Sequence, residues 1–297
     1  MSKPFVKWAG GKTQLLDEID DKIWKLRESS REFVYVEPFV GGGSVLFHLL
    51  DTCSNMRYAV INDANEQLIN TYRIIKDNDL YKEFKEHLYN MQESYNADRM
   101  KKERFSLMRL HYNHWTKGDV KMSDAWGAAM FVFLNKCCFN GIYRVNKSGE
   151  FNVPWGQKDY VNVFNEDELD KVHIVLSEKV AILCGDYSRT DVVTNIASAE
   201  GCDTIYYLDP PYKPISQTSN FTSYTNDGFN DEDQEKLKLF CDSINKDGGK
   251  FLLSNSKCGD YFDVLYDGYT IDTVYTKRMI NSDSRKRGNV EEILIHN

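Results

Sequence analysis

The string Asp209-Pro210-Pro211-Tyr212 constrains the fold of this chain more than any other feature. It follows residues 205–208, an uncharged run of β-branched and aromatic side chains that predicts a buried strand. Two successive prolines can continue neither a helix nor the pairing of a central strand, so they predict a rigid turn. Because open α/β sheets bind their ligands at the carboxyl ends of their strands, this turn is a candidate site.

The predicted turn carries groups that suit an exocyclic amino group on a flat base. The Asp209 carboxylate and the Pro210 carbonyl offer two hydrogen-bond acceptors for its two hydrogens. Tyr212 offers an aromatic face on which a ring can stack. The four residues alone leave open a second interpretation, a loop that is stiffened by proline and has no function.

The rest of the chain predicts α/β alternation around a helical insertion. Strands are predicted over residues 33–36, 58–61, 180–184, 205–208, 250–253, 270–275 and 292–295. Helices are predicted over residues 13–27, 44–50, 80–95, 98–115 and 124–136, the last of them apolar on nearly every face and expected to be buried. A hairpin is predicted from 142–145 and 150–153 around a turn at 146–149. The pattern predicts one α/β domain, residues 1–65 and 165–297, with an inserted domain at 66–164.

The charge of the chain is unevenly distributed. The net charge is −8, yet residues 95–160 contain eleven Lys and Arg against six Asp and Glu, a local balance of +5. A basic segment on an acidic body can bind phosphate locally without strong nonspecific binding. A solvated helix face would show the same charge pattern, so this signal leaves both interpretations open.

Several classes of protein are excluded or disfavoured. No stretch approaches the roughly 18 apolar residues of a membrane span, and the amino terminus has no signal-peptide pattern. Seven cysteines without a Cys-x-x-Cys pair argue against a disulfide framework or a zinc site, so we expect a cytoplasmic protein without a metal. His111 and His114 share a helix face without an evident third ligand and are expected to be solvated. Cys137 and Cys138 are expected to pack in the core.

A glycine-rich turn, residues 37–44, lies between a predicted strand and a predicted helix. Glycines let a ligand approach the backbone there, and the start of the helix offers N–H groups. Asp63 ends the next strand, where an acid can accept both hydroxyls of a ribose. The glycine pattern is not G-x-G-x-x-G, so a nicotinamide cofactor is not expected.

A second small-residue segment, residues 8–12, is flanked by Trp8 and by the lysines at 7 and 12. It ends in Gly-Gly-Lys-Thr, but position 6 is Val where a phosphate-binding loop needs glycine, which excludes that motif. The small residues still permit a ligand to approach closely. A loop that Trp8 ties to the core is the alternative.

In their order and spacing, these motifs resemble those of the Dam-type (class alpha) S-adenosylmethionine-dependent DNA adenine methyltransferases, as in GATC restriction–modification systems. The resemblance runs through most of the chain. It is carried by residues 5–12, 37–43, Asp63, 139–146, 150–156 and 209–212, with 220–224 resembling the substrate loop of the family.

The resemblance implies a Rossmann-like methyltransferase sheet with an inserted helical, hairpin-bearing DNA-recognition domain. It implies that S-adenosylmethionine is the cofactor, with Asp186 at its adenine. The residues expected to bind the cofactor are Trp8, Ala9, Gly10, Lys12, Phe39, Gly41, Ser44, Asp63, Asp186 and Asp209. The catalytic residues implied are Asp209, Pro210, Pro211 and Tyr212.

The partner that the resemblance implies is double-stranded DNA, read at GATC by the hairpin. A cognate restriction endonuclease would act separately. Lys7 falls on a position used for the first G, whereas Lys158 stands where some relatives have Tyr, which makes strict GATC specificity less secure. The residues expected at the DNA are Lys7, Asn140, Ile142, Arg144, Pro154, Lys158, Arg285 and Arg287.

The chemistry implied is direct methyl transfer to an adenine that has left the duplex. No cysteine follows a proline in this chain, which argues against carbon-5 cytosine methylation by a Pro-Cys nucleophile. Two alternatives stay open from the sequence. One is the same chemistry at another target sequence or on another amine, namely the cytosine N4 amine, RNA or a protein glutamine, and the other is a non-catalytic DNA module that binds the cofactor.

Overall fold

The computed structural model describes residues 2–27, 31–214, 229–277 and 289–297. By their contacts, these residues divide into two compact units. The first comprises Met1–Gly11, Gly41–Asp51 and Asp63–Gly185, and the second comprises Lys12–Val40, Thr52–Asn62 and Asp186–Asn297. The predicted insertion, residues 66–164, lies wholly within the first unit, and its assignment as a separate domain stays a prediction.

A mixed β-sheet is the framework of the second unit. Its six described strands are β1 Phe33–Glu37, β2 Met56–Ile61, β4 Asp203–Leu208, β5 Lys250–Ser256, β6 Thr270–Lys277 and β7 Asn289–His296. They stand in the order β2-β1-β4-β5-β7-β6. β1 pairs in parallel with β2 and β4, and β4 with β5, whereas β7 runs antiparallel between β5 and β6.

The central strands are almost completely buried. All five residues of β1 and the last five of β4 are buried, as expected for parallel strands that are covered on both faces. The parallel register pairs Val36 with Tyr206 and Glu37 with Ile61. The chain therefore leaves β1, β2 and β4 at the same edge of the sheet, and the predicted α/β class with a Rossmann-like sheet is confirmed.

The helices of the second unit are α1 Leu16–Leu26, α8 Val193–Ala199, α9 Asp231–Lys246 and α10 Tyr261–Leu265. α1 and α9 pack against β5, and α8 packs against β4 and β1. α9 begins at a capping box, in which the side chains of Asn230 and Asp233 each accept the backbone N–H of the other. α1 starts later than the predicted residue 13 because the preceding chain forms a turn, closed by the Leu15 N–H and the Lys12 carbonyl at 2.8 Å.

The first unit is mostly helical, as predicted for residues 65 to about 140. Its elements are α2 Ser44–Thr52, α3 Glu66–Lys76, α4 Asn78–Ala97, α5 Lys101–Thr116, α6 Asp124–Cys137, α7 Glu166–Lys179 and the short strand β3 Val180–Ile182. α6 packs against α3, α4 and α5. The predicted helices over 80–95, 98–115 and 124–136 are thus confirmed, with shifted ends. α4 is two residues longer at each end, α5 begins three residues later and ends one residue later, and α6 ends one residue later.

α6 is buried on nearly every face, as its apolar sequence predicted. Gly127 explains how closely α5 approaches it, since a Cβ atom there would lie 2.2 Å from the Trp115 ring. Cys137 and Cys138 are buried at its end as expected, and burial raises the pKa of Cys137 to about 12. Even so, neither α6 nor any other helix in the described part of the chain has the length and apolar character to cross a membrane.

The predicted hairpin forms, but its two strands do not. Residues 142–145 and 150–153 meet in one isolated bridge, Val145 with Phe151, flanked by bonds from Asn146 N–H to the Glu150 carbonyl and from Asn152 N–H to the Arg144 carbonyl. The backbone N–H and carbonyl of Phe151 bond instead to the side chain of Asn113 on α5, at 2.9 and 3.1 Å. A helix side chain therefore takes the groups that a further strand would have paired.

Candidate active site and DNA-reading surface

The predicted catalytic turn, residues 209–212, begins where β4 ends. Asp209 is half-buried, and its Oδ1 lies 2.9 Å from Nζ of the buried Lys12. The same ammonium stands 4.6 Å from the centre of the Tyr212 ring, and the Tyr212 hydroxyl donates to Glu292 on β7 at 2.7 Å. The sequence predicted Lys12, Asp209 and Tyr212 as site residues, and the structure brings these three together.

Burial and charge act in opposite directions on the Asp209 carboxyl. Burial raises its pKa above the ordinary value, and the charge of Glu292 raises it further. The Lys12 ammonium and the Tyr212 hydroxyl lower the pKa, but they do not cancel the effect of burial. A cation and a hydroxyl therefore oppose the desolvation of this carboxyl group and favour its ionised form.

Negative charge is in excess around the buried hydroxyl of Tyr207 on β4. Burial raises the pKa of this tyrosine well above its usual range, and the charges of Asp209, Glu37 and Glu292 raise it further. Three carboxylates thus act on one buried group. An environment of this charge suits a cationic ligand, which would relieve the repulsion among the carboxylates.

Polar side chains at the end of β5 hold the backbone of Lys213, the residue directly after the predicted catalytic turn. Asn255 is fully buried at the end of β5, and its Oδ1 accepts the Lys213 N–H at 3.0 Å. The Ser256 hydroxyl donates to the Lys213 carbonyl at 3.0 Å. Sequence reasoning missed these residues and Glu292. The signal that could have identified Asn255 and Ser256 is the polar run 254–256, which follows the apolar residues 251–253 of β5. These polar side chains are buried, so exposure to solvent does not explain them.

The glycine-rich turn and Asp63 meet in the first unit, as predicted. Asp63 Oδ2 accepts the Gly41 N–H at 3.0 Å, and its Oδ1 accepts the Asn65 N–H at 2.9 Å. Gly41 has φ +48°, and a Cβ atom there would lie 2.7 Å from Cδ1 of Trp8. Burial raises the pKa of Asp63, whereas these backbone N–H groups lower it. Each oxygen keeps acceptor capacity, which fits the two hydroxyls of a ribose.

The other residues predicted to bind the cofactor differ in their burial and in their contacts. Trp8 is half-buried and stacks on Tyr143 with ring centres 5.8 Å apart. In the second unit, Phe39 packs on Tyr187 at 5.3 Å, and the exposed Asp186 caps the 3-10 turn of Tyr187 by accepting the Ser188 N–H at 2.9 Å. Ala9 and Gly10 are exposed, and Ser44 is half-buried as the first residue of α2.

The predicted DNA-reading residues that the structure describes all belong to the first unit. Lys7, Asn140, Arg144 and Pro154 are exposed, whereas Ile142 and Lys158 are half-buried. The Arg144 Nε donates to Asn152 Oδ1 at 2.7 Å, and the Lys158 Nζ donates to the carbonyl of Lys136 at 2.7 Å. Arg285, Arg287 and the predicted substrate loop, residues 220–224, lie outside the described residues.

Burial and the charges of neighbouring lysines lower the pKa of two lysines on this surface. Burial lowers the pKa of Lys158, and the positive charge of Lys7 lowers it further. Burial and the charge of Lys7 also lower the pKa of Lys136, whereas the charge of Glu168 raises it. The three ammonium groups repel one another, so an anion such as a phosphate would stabilise their charged forms.

The model of the D12 class N6 adenine-specific DNA methyltransferase family matches residues 8–280 of the chain. The chain belongs to this family. The Type II methyltransferase M.MjaIII of Methanocaldococcus jannaschii is 43% identical over 298 residues, which cover 99% of each protein. The DNA adenine methylases of Vibrio cholerae and Escherichia coli K12 are 31% and 30% identical, and they are covered to 95% and 94%.

Family membership decides between the interpretations that the sequence left open. The enzyme is an adenine-specific DNA methyltransferase, so the cytosine amine and the non-catalytic module no longer stand as alternatives. The predicted resemblance is confirmed. Its reaction requires a methyl donor and a DNA substrate, and the identity of the donor and the target sequence are treated as proposals below.

Proposed function

We propose that the enzyme methylates the N6 atom of adenine in GATC on duplex DNA, with S-adenosylmethionine as the donor and the adenine turned out of the helix. The observation that carries this proposal is the catalytic turn itself. It combines a half-buried carboxylate, a proline carbonyl and an aromatic ring at the carboxyl end of β4. Target specificity rests on the resemblance of residues 139–146 and 150–156 to the hairpin of the family.

The residues present fit S-adenosylmethionine chemically. The donor would supply a methyl group on a cationic sulfur, which needs no covalent intermediate with the protein. In the second unit, Asp209, Glu37 and Glu292 provide the excess negative charge that favours a cation. In the first unit, Asp63 retains acceptor capacity for a ribose beside a glycine turn that is open to close approach.

The catalytic turn would act by alignment and electrostatics. The Asp209 carboxylate and the Pro210 carbonyl would accept the two hydrogens of the adenine amino group, which favours a tetrahedral nitrogen with its lone pair aimed at the methyl carbon. Methyl transfer leaves the nitrogen with one proton too many, and the carboxylate that holds its hydrogen bond can accept this proton. Tyr212, fixed by its bond to Glu292, would stack against the base.

When the adenine amine binds Asp209, it must either share the carboxylate with Lys12 or displace Lys12 from it. Its ammonium lies 2.9 Å from Oδ1, so Oδ2 is the oxygen better placed to accept the amine. By opposing the effect of burial, Lys12 keeps the carboxylate ionised and able to accept a hydrogen bond. We therefore assign Lys12 two roles, binding near the cofactor and charge compensation of Asp209.

The target sequence can be tested directly. Plasmid DNA prepared from a host that lacks adenine methylation but expresses this enzyme should resist an endonuclease that methylated GATC blocks. Sequencing with adenine methylation called at every position should show modification of GATC on both strands. The same plasmid expressing the Asp209→Asn variant is the control. Methylation at another sequence would contradict the GATC assignment and would direct attention to the hairpin, whereas the chemistry would stand.

The pH dependence of the reaction tests the role of Lys12. The pKa of Asp209 is raised, and the reaction requires its ionised form, so the rate should fall as the pH falls through this raised pKa. In Lys12→Met, the carboxyl loses its counter-charge, and the acidic limb of the single-turnover rate profile should move to higher pH. Lys238→Met, which breaks the pair with Asp242 at 2.7 Å on α9, should leave the limb in place. An unmoved limb in Lys12→Met would contradict charge compensation.

The name of the 43% identical relative bears on the biological partner. That protein is a Type II methyltransferase. We include in the proposal a cognate restriction endonuclease that acts separately on the same DNA sequence. Protection of plasmid DNA in the experiment above identifies the sequence that such an endonuclease would cut.

A further inference from the structure

Asn135 is a buried polar residue in the last turn of α6. Only 1% of its surface is exposed, and the four residues that precede it on the helix are apolar. A buried carboxamide costs free energy unless its donors and acceptor are satisfied, and asparagine is not a favoured residue inside a helix. The residue therefore needs an explanation other than packing.

The carboxamide of Asn135 bonds to two separate segments of the backbone. Its Oδ1 accepts the N–H of Lys7 at 2.8 Å, and its Nδ2 donates to the carbonyl of Lys7 at 2.8 Å. The second hydrogen of Nδ2 is directed to the carbonyl of Gly141 at 2.9 Å. Both hydrogens and the oxygen are thus used, and every bond goes to a segment that carries a proposed DNA-reading residue.

The two segments also contact each other directly. Gly141 has φ +66°, and a Cβ atom there would lie 2.6 Å from both Cβ and Cδ of Lys7. The aliphatic part of the Lys7 side chain therefore lies against the Gly141 backbone. Asn140 precedes it with φ +55°, an uncommon conformation for a residue other than glycine.

The end of α6 anchors the other side of the hairpin as well. The Phe139 N–H donates to the Pro154 carbonyl at 2.9 Å, and the Gly156 N–H donates to the Cys137 carbonyl at 3.0 Å. On this side, backbone bonds join the hairpin to the end of α6, whereas the Lys7 segment is tied to α6 through the side chain of Asn135. The carboxamide of Asn135 thus bonds both to the backbone of Lys7 and to the hairpin at Gly141.

We propose that Asn135 is a positioning residue for DNA sequence reading, which holds Lys7 and the Asn140-Gly141 turn at a set separation on α6. The inference rests on the proposed function, in which Lys7 and the hairpin read neighbouring bases. A side chain that forms bidentate contacts with a base discriminates only while its backbone is held in place. Loss of the carboxamide would leave the catalytic turn intact but would let the Lys7 segment shift.

The test compares two asparagines that bind backbone in the same way. Asn135→Asp keeps the size of the side chain but removes the Nδ2 donor. Asn96→Asp is the matched control, because Asn96 bonds to both the N–H and the carbonyl of Val161, at 3.0 and 2.9 Å, and neither of these two residues is a proposed reading residue. Melting temperature and affinity for S-adenosylmethionine are measured for both variants, so that loss of folding is recognised.

The readout is the ratio of methylation rates on the target sequence and on its single-base variants. We expect Asn135→Asp to lower this ratio by about tenfold at the base pair whose reading is also lost in Lys7→Ala, within the range typical of one base contact. The double variant should discriminate no worse than Lys7→Ala alone, since both changes affect one contact. Asn96→Asp should keep the ratio of the unmodified enzyme.

Equal ratios for Asn135→Asp and Asn96→Asp would overturn the proposal and leave Asn135 a purely structural residue. If Asn135→Asp does not fold, Gly141→Ala is tested in its place, because the added Cβ atom displaces the Lys7 side chain. This variant should lower the same ratio of methylation rates, and an unchanged ratio would equally overturn the proposal. The target sequence is determined first by methylation calling. A target other than GATC would therefore contradict the proposed specificity without deciding the role of Asn135.

Discussion

Asp209→Asn should lower the single-turnover rate of methyl transfer by at least about 10²-fold, a loss typical of removing one electrostatic contact to a transition state. Asparagine keeps the size of the side chain but replaces the carboxylate with a neutral amide. It would hold the adenine amine less strongly as its nitrogen becomes tetrahedral, and it cannot accept the released proton. The rate is measured with enzyme in excess over a duplex that contains one target site.

Asp242→Asn is the matched control for this experiment. Asp242 also contacts a lysine and a tyrosine, with Lys238 Nζ and the Tyr269 hydroxyl both at 2.7 Å, but it lies on α9. It should react at close to the normal rate. The affinity of Asp209→Asn for S-adenosylmethionine must be measured as well, because the carboxylate also bears on the cofactor. A rate within a few-fold of normal at saturating cofactor would show that Asp209 is only structural.

Arg144→Ala should reduce discrimination between target and near-target DNA far more than it reduces overall affinity. A bidentate contact of arginine with guanine is worth about 1–3 kcal/mol, or roughly 5- to 150-fold in the ratio of rates. Arg144 is exposed on the hairpin, and its Nε donates to Asn152, which orients the guanidinium. The measurement is the methylation rate on the target and on each of its single-base variants.

Two companion variants separate base reading from phosphate binding. Lys147→Ala removes an exposed charge from the turn of the same hairpin and should leave discrimination unchanged. Asn152→Ala removes the partner of Arg144 and should lower discrimination by a smaller factor. If Arg144→Ala instead weakens binding to all sequences alike and flattens the salt dependence, the residue is a phosphate anchor and bases are read elsewhere.

The sequence predicted those parts of the fold that local patterns encode. Uncharged β-branched runs identified β1 and β4, and the apolar composition of 124–136 identified the buried helix α6. The prediction of two hairpin strands was wrong, since residues 142–145 and 150–153 meet in one isolated bridge. The outward backbone groups of Phe151 bond to Asn113 on α5, a contact that no pattern within residues 142–153 indicates.

The candidate site likewise contains residues that local patterns predict and contacts that depend on residues far away in sequence. Asp63 and the glycine turn were predictable because strand–turn–helix geometry relates them, and Asp209 was predictable because two prolines follow it. The bond from Tyr212 to Glu292 spans 80 residues, and two of the three bonds of Asn135 reach a segment 128 residues away. Contacts of this kind arise from tertiary packing, which a single sequence does not reveal.

The placement of β7 has a consequence for how the chain is synthesised. β7 follows β6 in sequence but pairs between β5 and β6, so the edge of β5 stays unpaired until the ribosome has released β7. Glu292, the hydrogen-bond partner of Tyr212, arrives with that strand. Pairings between distant segments form slowly, and an open strand edge invites association with other chains. A nascent chain should therefore expose the edge of β5, and lack the partner of Tyr212, until β7 has been inserted.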